Sequence, residues 1–194
     1  LVIITSATLL VSLLALACSS SDDESSPDQP AAVRVDAPDF QIASPNFTEI
    51  RPRVRIPQNN TCYGDNLSPP LAWSGAPADT KSFALVGEDI DEEGGAGTHW
   101  VLYNIPSGST ELIEGIPTST DVLPDNTVQG ANDFENIGYN GPCPQQISIN
   151  YYDEFGGKIK SSKGAHQYVF RLYALDSEVS LAPGASFFAA RTAT

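Results

Sequence analysis

The sequence predicts an all-β domain, a sandwich whose strands are joined by long connections. No segment of the 194 residues sustains the apolar period of an amphipathic helix. Short apolar or alternating runs recur instead, and turn-forming clusters of Gly, Pro, Asn and Ser separate them, which is typical of β-sandwiches. Hydrophobic residues make up 41% of the chain, which is enough for a domain of this size to bury a core.

Three runs have the clearest strand pattern. Trp100 to Ile105 is apolar at nearly every position, so it is predicted as a strand buried on both faces. Ser82 to Asp89 and Tyr168 to Leu175 are rich in β-forming residues and lie between turns. Shorter strands are predicted between residues 40 and 56, at Leu71 to Trp73 and near Leu112-Ile113. The aromatic side chains expected in the core are Trp73, Trp100, Tyr103 and Phe170.

The N-terminal segment resembles a bacterial lipoprotein signal peptide. Residues 1–17 form an apolar run that is short for a membrane span and ends in small residues before Cys18. Cleavage before Cys18 would leave a lipidated cysteine and a tether, residues 18–38, whose Ser, Asp and Pro content predicts disorder. The predicted location is therefore the bacterial cell envelope, lipid-anchored and extracytoplasmic. An ordinary secretory signal and an uncleaved anchor are the alternatives.

The formal net charge of −14 restricts the partners of this protein. Nucleic acids are excluded because their phosphates require clustered Lys and Arg. Anionic lipid surfaces are disfavoured for the same reason, so membrane association is expected only through the N-terminal lipid. A single small anion is still compatible with this charge, because a local pocket can oppose the field of the whole protein.

The sequence has three cysteines, Cys18, Cys62 and Cys143, and the first has a different predicted role from the other two. If Cys18 carries the lipid, Cys62 and Cys143 are left, and both lie in turn-rich stretches. Outside the cytoplasm such a pair can form a disulfide. Two separate buried thiols are the alternative.

The two histidines, His99 and His166, each precede a predicted strand. An acidic loop, Asp89-Ile90-Asp91, ends another strand, and Gly141-Pro142 forms a turn. Imidazole and backbone N–H groups, with a carboxylate to orient an imidazole, could bind one small anion without any Arg. Structural histidines beside a solvated acidic loop are one alternative, and a metal site of two His and one carboxylate is another.

Six motifs follow one another between residues 45 and 185. They are Cys62-Tyr63-Gly64-Asp65-Asn66-Leu67-Ser68-Pro69-Pro70-Leu71-Ala72-Trp73, Asp89-Ile90-Asp91, His99-Trp100 with Asn104-Ile105-Pro106, Gly130-Ala131-Asn132-Asp133-Phe134, Gly138-Tyr139-Asn140-Gly141-Pro142-Cys143-Pro144, and His166-Gln167-Tyr168 with Tyr173-Ala174-Leu175-Asp176. In this order they resemble the phosphatidylethanolamine-binding protein (PEBP) family, in its bacterial Raf kinase inhibitor-like branch. Two features depart from the family pattern: Ile90 replaces the usual Pro, and residues 145–164 form an insertion before His166.

The resemblance implies a sandwich of two antiparallel sheets with one or two short helices. It places this domain at residues 39–194, with the family's C-terminal helix truncated at the end. It also implies a small anion pocket. The residues that match its ligand-binding positions are Asp89, Asp91, His99, Gly141, Pro142, His166 and Tyr168.

The predicted function is that of a lipid-anchored extracytoplasmic binding protein for a small anion or phosphorylated headgroup, and not of an enzyme. The alternative, implied by the family name, is an inhibitor of a serine protease or a kinase-like regulatory module. No cofactor is predicted, and the Gly-x-Ser-x-Gly motif of serine hydrolases is missing from the sequence. No metal site is predicted either, because the helical His pairs of metalloproteases are missing as well.

Overall fold

The computed structural model describes residues 39–50, 53–92, 97–143, 166–186 and 189, together with four short outlying strands. A 3-10 helix spans Gln58–Asn60. The strands, in chain order, are β1 (Ile3–Thr8), β2 (Val33–Arg34), β3 (Gln41–Ala43), β4 (Thr48–Ile50), β5 (Arg53–Arg55), β6 (Leu71–Ser74), β7 (Ser82–Asp89), β8 (Gly97–Pro106), β9 (Glu111–Leu112), β10 (Val128–Gln129), β11 (Tyr151–Tyr152), β12 (Lys158–Ile159) and β13 (Tyr168–Leu175).

The larger sheet has six strands in the order β10-β8-β7-β13-β1-β2. Its centre is antiparallel, with β7 between β8 and β13. The smaller sheet has the order β3-β6-β9 and is antiparallel throughout. The predicted all-β sandwich of antiparallel sheets is therefore confirmed.

The main core lies between these two sheets. Trp73 of β6 packs edge-on against Phe83 of β7, with 5.5 Å between ring centroids. Trp100 of β8 is fully buried and contacts the ring of Tyr139 at 5.4 Å. Burial of such large rings contributes several kcal/mol in total, at about 1.5–3 kcal/mol per apolar side chain. All four aromatic residues expected in the core are buried: Trp73, Trp100, Tyr103 and Phe170.

Side-chain alternation gives the larger sheet a second buried face. Val101 and Tyr103 of β8 point away from the main core and pack with Val128 and Val179. The hydroxyl of Tyr103 donates a hydrogen bond to the carbonyl of Ala182 at 2.6 Å. Residues 179–185 therefore cover part of this face, and β8 is buried on both faces as the apolar run predicted.

Strands β8 and β10 both differ from the prediction. Strand β8 begins at Gly97, so His99 lies inside the strand rather than before it. Strand β10 was not predicted, because two residues are too few to show a period. It pairs Val128 with Tyr103 in a stretch that otherwise consists of turns.

The N-terminal segment is described only as two short strands. Ile3–Thr8 pairs antiparallel with β13, and Val33–Arg34 pairs with β1 in parallel. Cys18 lies outside the described residues, so the signal peptide and the lipid anchor stay predictions. Most of the insertion at 145–164 also lies outside them, apart from the hairpin strands β11 and β12. Among the described residues no helix has the length and apolarity needed to cross a membrane.

A disulfide joins Cys62 to Cys143, with 5.3 Å between their Cα atoms. The backbone N–H of Cys62 also donates a hydrogen bond to the carbonyl of Pro142 at 3.1 Å. Of the two alternatives for these cysteines, the structure has the disulfide and not two separate thiols. The bond ties the loop after the 3-10 helix to the Gly141-Pro142 turn.

We expect the double substitution C62A/C143A to lower the free energy of unfolding by roughly 2–4 kcal/mol, because the bond constrains the unfolded chain across a sequence separation of 81 residues. Urea unfolding with and without a reductant measures this. The reductant should lower the stability of the wild type by a similar amount and leave the double variant unchanged. Equal stability of all four samples would contradict the prediction.

Candidate functional site

Strand pairing brings distant parts of the chain to one end of the larger sheet. Asp89, the last residue of β7, lies opposite Tyr168 of β13 and opposite Gly97 of β8. His166 and Gln167 precede β13, and His99 follows Gly97 by two residues. Both histidines therefore lie at the same end of the sheet as Asp89.

Asp89 is a buried carboxylate, 1% exposed, with partners on three sides. Its Oδ2 lies 2.6 Å from Nδ1 of His166. Its Oδ1 accepts the backbone N–H of Asp91 at 2.9 Å. The hydroxyl of Tyr168 also hydrogen-bonds to this carboxylate. A buried carboxylate is tolerated only when it is paired and hydrogen-bonded in this way.

His99 is buried and is held by a backbone carbonyl instead of a carboxylate. Its Nδ1 lies 2.7 Å from the carbonyl oxygen of Asn140. Because a carbonyl can only accept, Nδ1 carries a proton, and this assigns the tautomer. Nε2 is then left without a hydrogen-bond partner among the described residues. The rings of Phe134 and Tyr168 contact the imidazole edge-on, at centroid distances of 4.9 and 5.2 Å.

Tyr168 links the two histidines. Its ring contacts His99 and its hydroxyl contacts Asp89, the partner of His166. Burial, followed by the negative charge of Asp89 and the hydrogen bond to it, raises the pKa of the Tyr168 hydroxyl well above its ordinary value. The hydroxyl therefore stays protonated and donates to Asp89.

The loop that supplies the Asn140 carbonyl is organised around Asn132, which is 5% exposed. The Asn132 side-chain NH₂ donates to the carbonyl of Gly138 at 3.0 Å and to Oδ1 of Asn140 at 2.9 Å. Its Oδ1 accepts the backbone N–H groups of Phe134 and Asn136. One side chain thus positions both the ring that contacts His99 and the residue that holds its Nδ1.

Of the seven predicted ligand residues, the structure brings four together directly: Asp89, His99, His166 and Tyr168. The insertion before His166 does not displace it. Asp91 lies at the rim, where its Oδ2 accepts the backbone N–H of Gln167 at 2.9 Å. Its exposure leaves it accessible from solvent.

The Gly141-Pro142 turn is used differently from what the sequence predicted. The N–H of Gly141 donates to Oδ1 of Asn66 at 2.7 Å, so it is not a free donor for an anion. A Cβ at Gly141 would come within 2.6 Å of the Asn60 carbonyl oxygen, which explains why this position needs glycine. Pro142 accepts the N–H of Cys62. The turn closes the loop instead of presenting its N–H to the pocket.

The structure decides the partner of each acidic residue. The carboxylate expected to orient an imidazole is that of Asp89, and it pairs with His166 and not with His99. Glu88 precedes Asp89, and strand alternation turns it to the opposite face, where Arg171 pairs with it. The sequence could not assign these pairs because both depend on which face each side chain occupies.

Sequence reasoning missed two residues of the site. Phe134 was noted only as part of a motif, although its ring is 49% exposed and contacts His99. Glu92 follows the acidic loop, and its negative charge contributes to the raised pKa of Tyr168. The acidic run itself was the available signal for Glu92, but a solvated loop is the usual meaning of such a run.

A separate cleft of about 520 Å³ shares only Asn140 with the surroundings of His99. It contains none of the seven predicted ligand residues. Amide and hydroxyl side chains dominate its polar lining, and they come from three loops: Asn66, Ser68, Thr118, Asn136, Tyr139 and Asn140.

Comparisons with known proteins agree with this fold. A family model described as phosphatidylethanolamine-binding protein matches residues 46–193. A UPF0098 protein of Methanothermobacter thermautotrophicus is 46% identical over 134 residues, covering 69% of this chain and 77% of that protein. LppC of Mycobacterium tuberculosis, named as a candidate lipoprotein, is 34% identical over 84% of this chain and 72% of its own. The crystal structure of Escherichia coli YbcL, described as a member of the mammalian PEBP family, aligns with a TM-score of 0.61 and 30% identity over 76% of this chain and 84% of YbcL.

We expect Asn132→Ala to lower the free energy of unfolding by roughly 2–6 kcal/mol, because it removes four hydrogen bonds of a buried side chain at about 0.5–1.5 kcal/mol each. Urea unfolding measures the change. Asn136→Ala is the matched control, since that exposed amide makes one long bond of 3.3 Å and should cost under about 0.5 kcal/mol. Equal losses in the two variants would show that Asn132 does not organise the loop.

Proposed function

The chain belongs to the phosphatidylethanolamine-binding protein family, and from this premise we propose that it binds a small anion at His99. The ligand class is a phosphate, a phosphorylated headgroup or a carboxylate. The observation that carries the proposal is the buried His99 imidazole. Its Nδ1 is bonded to the Asn140 carbonyl, and its Nε2 has no hydrogen-bond partner within the part of the chain that the structure describes.

An imidazole held in this way suits an anion for a simple reason. When the ring is protonated, Nε2 carries an N–H and a share of the positive charge, and both attract an anion. The carbonyl of Asn140 accepts from Nδ1–H in the neutral ring and in the protonated ring alike, and it adds no negative charge that would repel an anion. The contacts with Phe134 and Tyr168 exclude water from the ring and strengthen an electrostatic contact there.

The negative charge of Asp89 opposes this proposal only weakly. Its oxygens are engaged by His166, by the Asp91 N–H and by the Tyr168 hydroxyl. These three partners offset its charge locally and direct it away from His99. The half-exposed ring of Phe134, which contacts His99, adds apolar surface at the rim. That surface favours an anion that carries an apolar group over a bare ion.

We propose binding rather than catalysis at this site. The Tyr168 hydroxyl, which touches Asp89, is kept protonated and so is a poor nucleophile or base. Both Nδ1 atoms are held by acceptors, the Asn140 carbonyl and the Asp89 carboxylate. These contacts fix the rings in place, as a rigid binding site requires.

The lipid anchor is the second part of the proposal. It is supported by the apolar segment that ends at Cys18 and by the acidic tether that follows. The relative LppC is named as a candidate lipoprotein. A lipidated Cys18 would hold the domain at a membrane through the tether, with no electrostatic contribution from its surface.

We expect His99→Ala to weaken the binding of phosphate or acetate by about 10- to 150-fold, the effect of losing one hydrogen bond to a charged group. His166→Ala should weaken binding less, because His166 acts through Asp89. Titration calorimetry in buffer containing EDTA measures both. Glu111→Gln, an exposed change on the smaller sheet, is the control and should bind as the wild type does.

Equal binding by the wild type and His99→Ala would contradict the anion site. If no anion binds and the protein instead inhibits a serine protease, the inhibitor alternative is favoured. That alternative predicts a stable complex with the protease that survives substitution of His99.

We expect Cys18 to be the N-terminal residue of the mature protein and to carry acyl chains. Intact-mass measurement of protein extracted from membranes with detergent tests this, because each acyl chain adds a defined mass. Cys18→Ser should yield a protein without that added mass. A mature wild-type chain that begins elsewhere and carries no lipid would contradict the prediction, and it would leave the anion site unaffected.

A further inference from the structure

A second set of ligand atoms lies at the end of the larger sheet that also carries His99. One atom each from Asp89, Glu92 and His166 lie within 4.8 Å of one another. Asp89 is buried, His166 is partly exposed and Glu92 is exposed to solvent. Glu92 also packs against the start of β8, since a Cβ added at Gly97 would lie 3.4 Å from its Cγ. Its carboxylate thus lies near the other two ligand groups.

We propose that Asp89, Glu92 and His166 bind one divalent cation of the Zn²⁺ or Mn²⁺ class. One imidazole and two carboxylates form a mixed nitrogen and oxygen ligand set. Such a set suits Zn²⁺ or Mn²⁺, whereas Ca²⁺ and Mg²⁺ prefer ligand sets made of oxygen alone. Three protein ligands leave at least one coordination position open. The inference goes beyond the anion site, which uses His99 and requires no metal.

The present geometry is close to what such an ion needs. Metal–oxygen and metal–nitrogen bonds of about 2.0–2.2 Å put two ligand atoms of a tetrahedral ion roughly 3.4 Å apart. Nδ1 of His166 and Oδ2 of Asp89 are 2.6 Å apart, so they must separate by under about 1 Å. The exposed Glu92 side chain can move to meet the ion. The shared hydrogen bond between Asp89 and His166 is then replaced by the shared cation.

Asp89 is already oriented for this role. Its Oδ1 would keep the N–H of Asp91, and the Tyr168 hydroxyl would still donate to the carboxylate. Hydrogen bonds of this kind to a ligating carboxylate fix its direction and support metal affinity. The remaining negative charge of Asp91 at the rim adds to the attraction of a cation.

An independent observation also indicates a ligand in this pocket. His99 is 6% exposed, yet its Nε2 has no hydrogen-bond partner among the described residues. The Tyr168 ring contacts His99 and the Tyr168 hydroxyl contacts Asp89, so His99 and the three proposed ligands have Tyr168 as a common neighbour. An anion on the open position of the ion is the ligand that suits both sides.

Titration calorimetry of the metal-free full chain with ZnCl₂ and with MnCl₂ tests the proposal. We expect one ion per chain. The substitutions Glu92→Gln and His166→Ala should each lower the affinity for the ion by more than the roughly 10- to 100-fold that removal of a supporting hydrogen bond costs. Glu111→Gln, an exposed acidic residue on the smaller sheet, should bind like the wild type. Because Glu92 is exposed, its variant should retain the thermal unfolding midpoint of the wild type.

The position of the ion is tested by NMR with Mn²⁺. Paramagnetic broadening should remove the side-chain signals of His166, Tyr168 and His99 first. Broadening confined to the acidic run Asp22-Asp23-Glu24 would reveal adventitious binding to the tether and overturn the proposal. So would equal affinity of the wild type and Glu92→Gln. Anion binding in EDTA is measured separately, so failure of either site is distinguishable from failure of the other.

Discussion

Strand β7 is hydrogen-bonded along both edges, to β8 on one side and to β13 on the other, and the site depends on this double pairing. The register sets Asp89 opposite Tyr168 and opposite Gly97 at one end of the sheet. Because side chains alternate along a strand, a slip of one residue would turn Asp89 to the face that Glu88 now occupies. Packing between the two sheets, such as that of Trp73 on Phe83, favours the observed register.

Burial of Asp89 places a second constraint on the same region. A carboxylate that is 1% exposed has to be hydrogen-bonded. Its partners are Asp91 of the acidic loop, Tyr168 of β13 and His166, which lies two residues before β13. These partners tie the loop after β7 to the start of β13. The carboxylate therefore fixes the shape of the pocket as well as part of its charge.

The loop from Asn132 to Cys143, on the His99 side of the site, is held in place by uncharged groups. Asn132 and the Gly141-Pro142 turn are hydrogen-bonded within the protein, and the disulfide of Cys143 ties the end of the loop to Cys62. The pocket thus has an acidic side at Asp89 and Glu92 and a neutral side at His99 and Asn140. A cation suits the first side and an anion the second, so the two proposed ligands use different atoms and can be held at the same time.

The sequence alone determined the fold class and most of the elements, because burial imposes a period on each strand: β7 and β13 match their predicted runs from the first residue to the last. The resemblance to the family implied a set of seven ligand residues, of which the structure brings Asp89, His99, His166 and Tyr168 together. Only the tertiary structure decided which groups of the site are hydrogen-bonded to each other. That Asp89 holds His166 rather than His99, that the Gly141 N–H belongs to Asn66, and that Glu92 reaches the pocket follow from side-chain direction and loop path. Those depend on contacts between segments that are remote in the chain, and a local pattern carries no information about them.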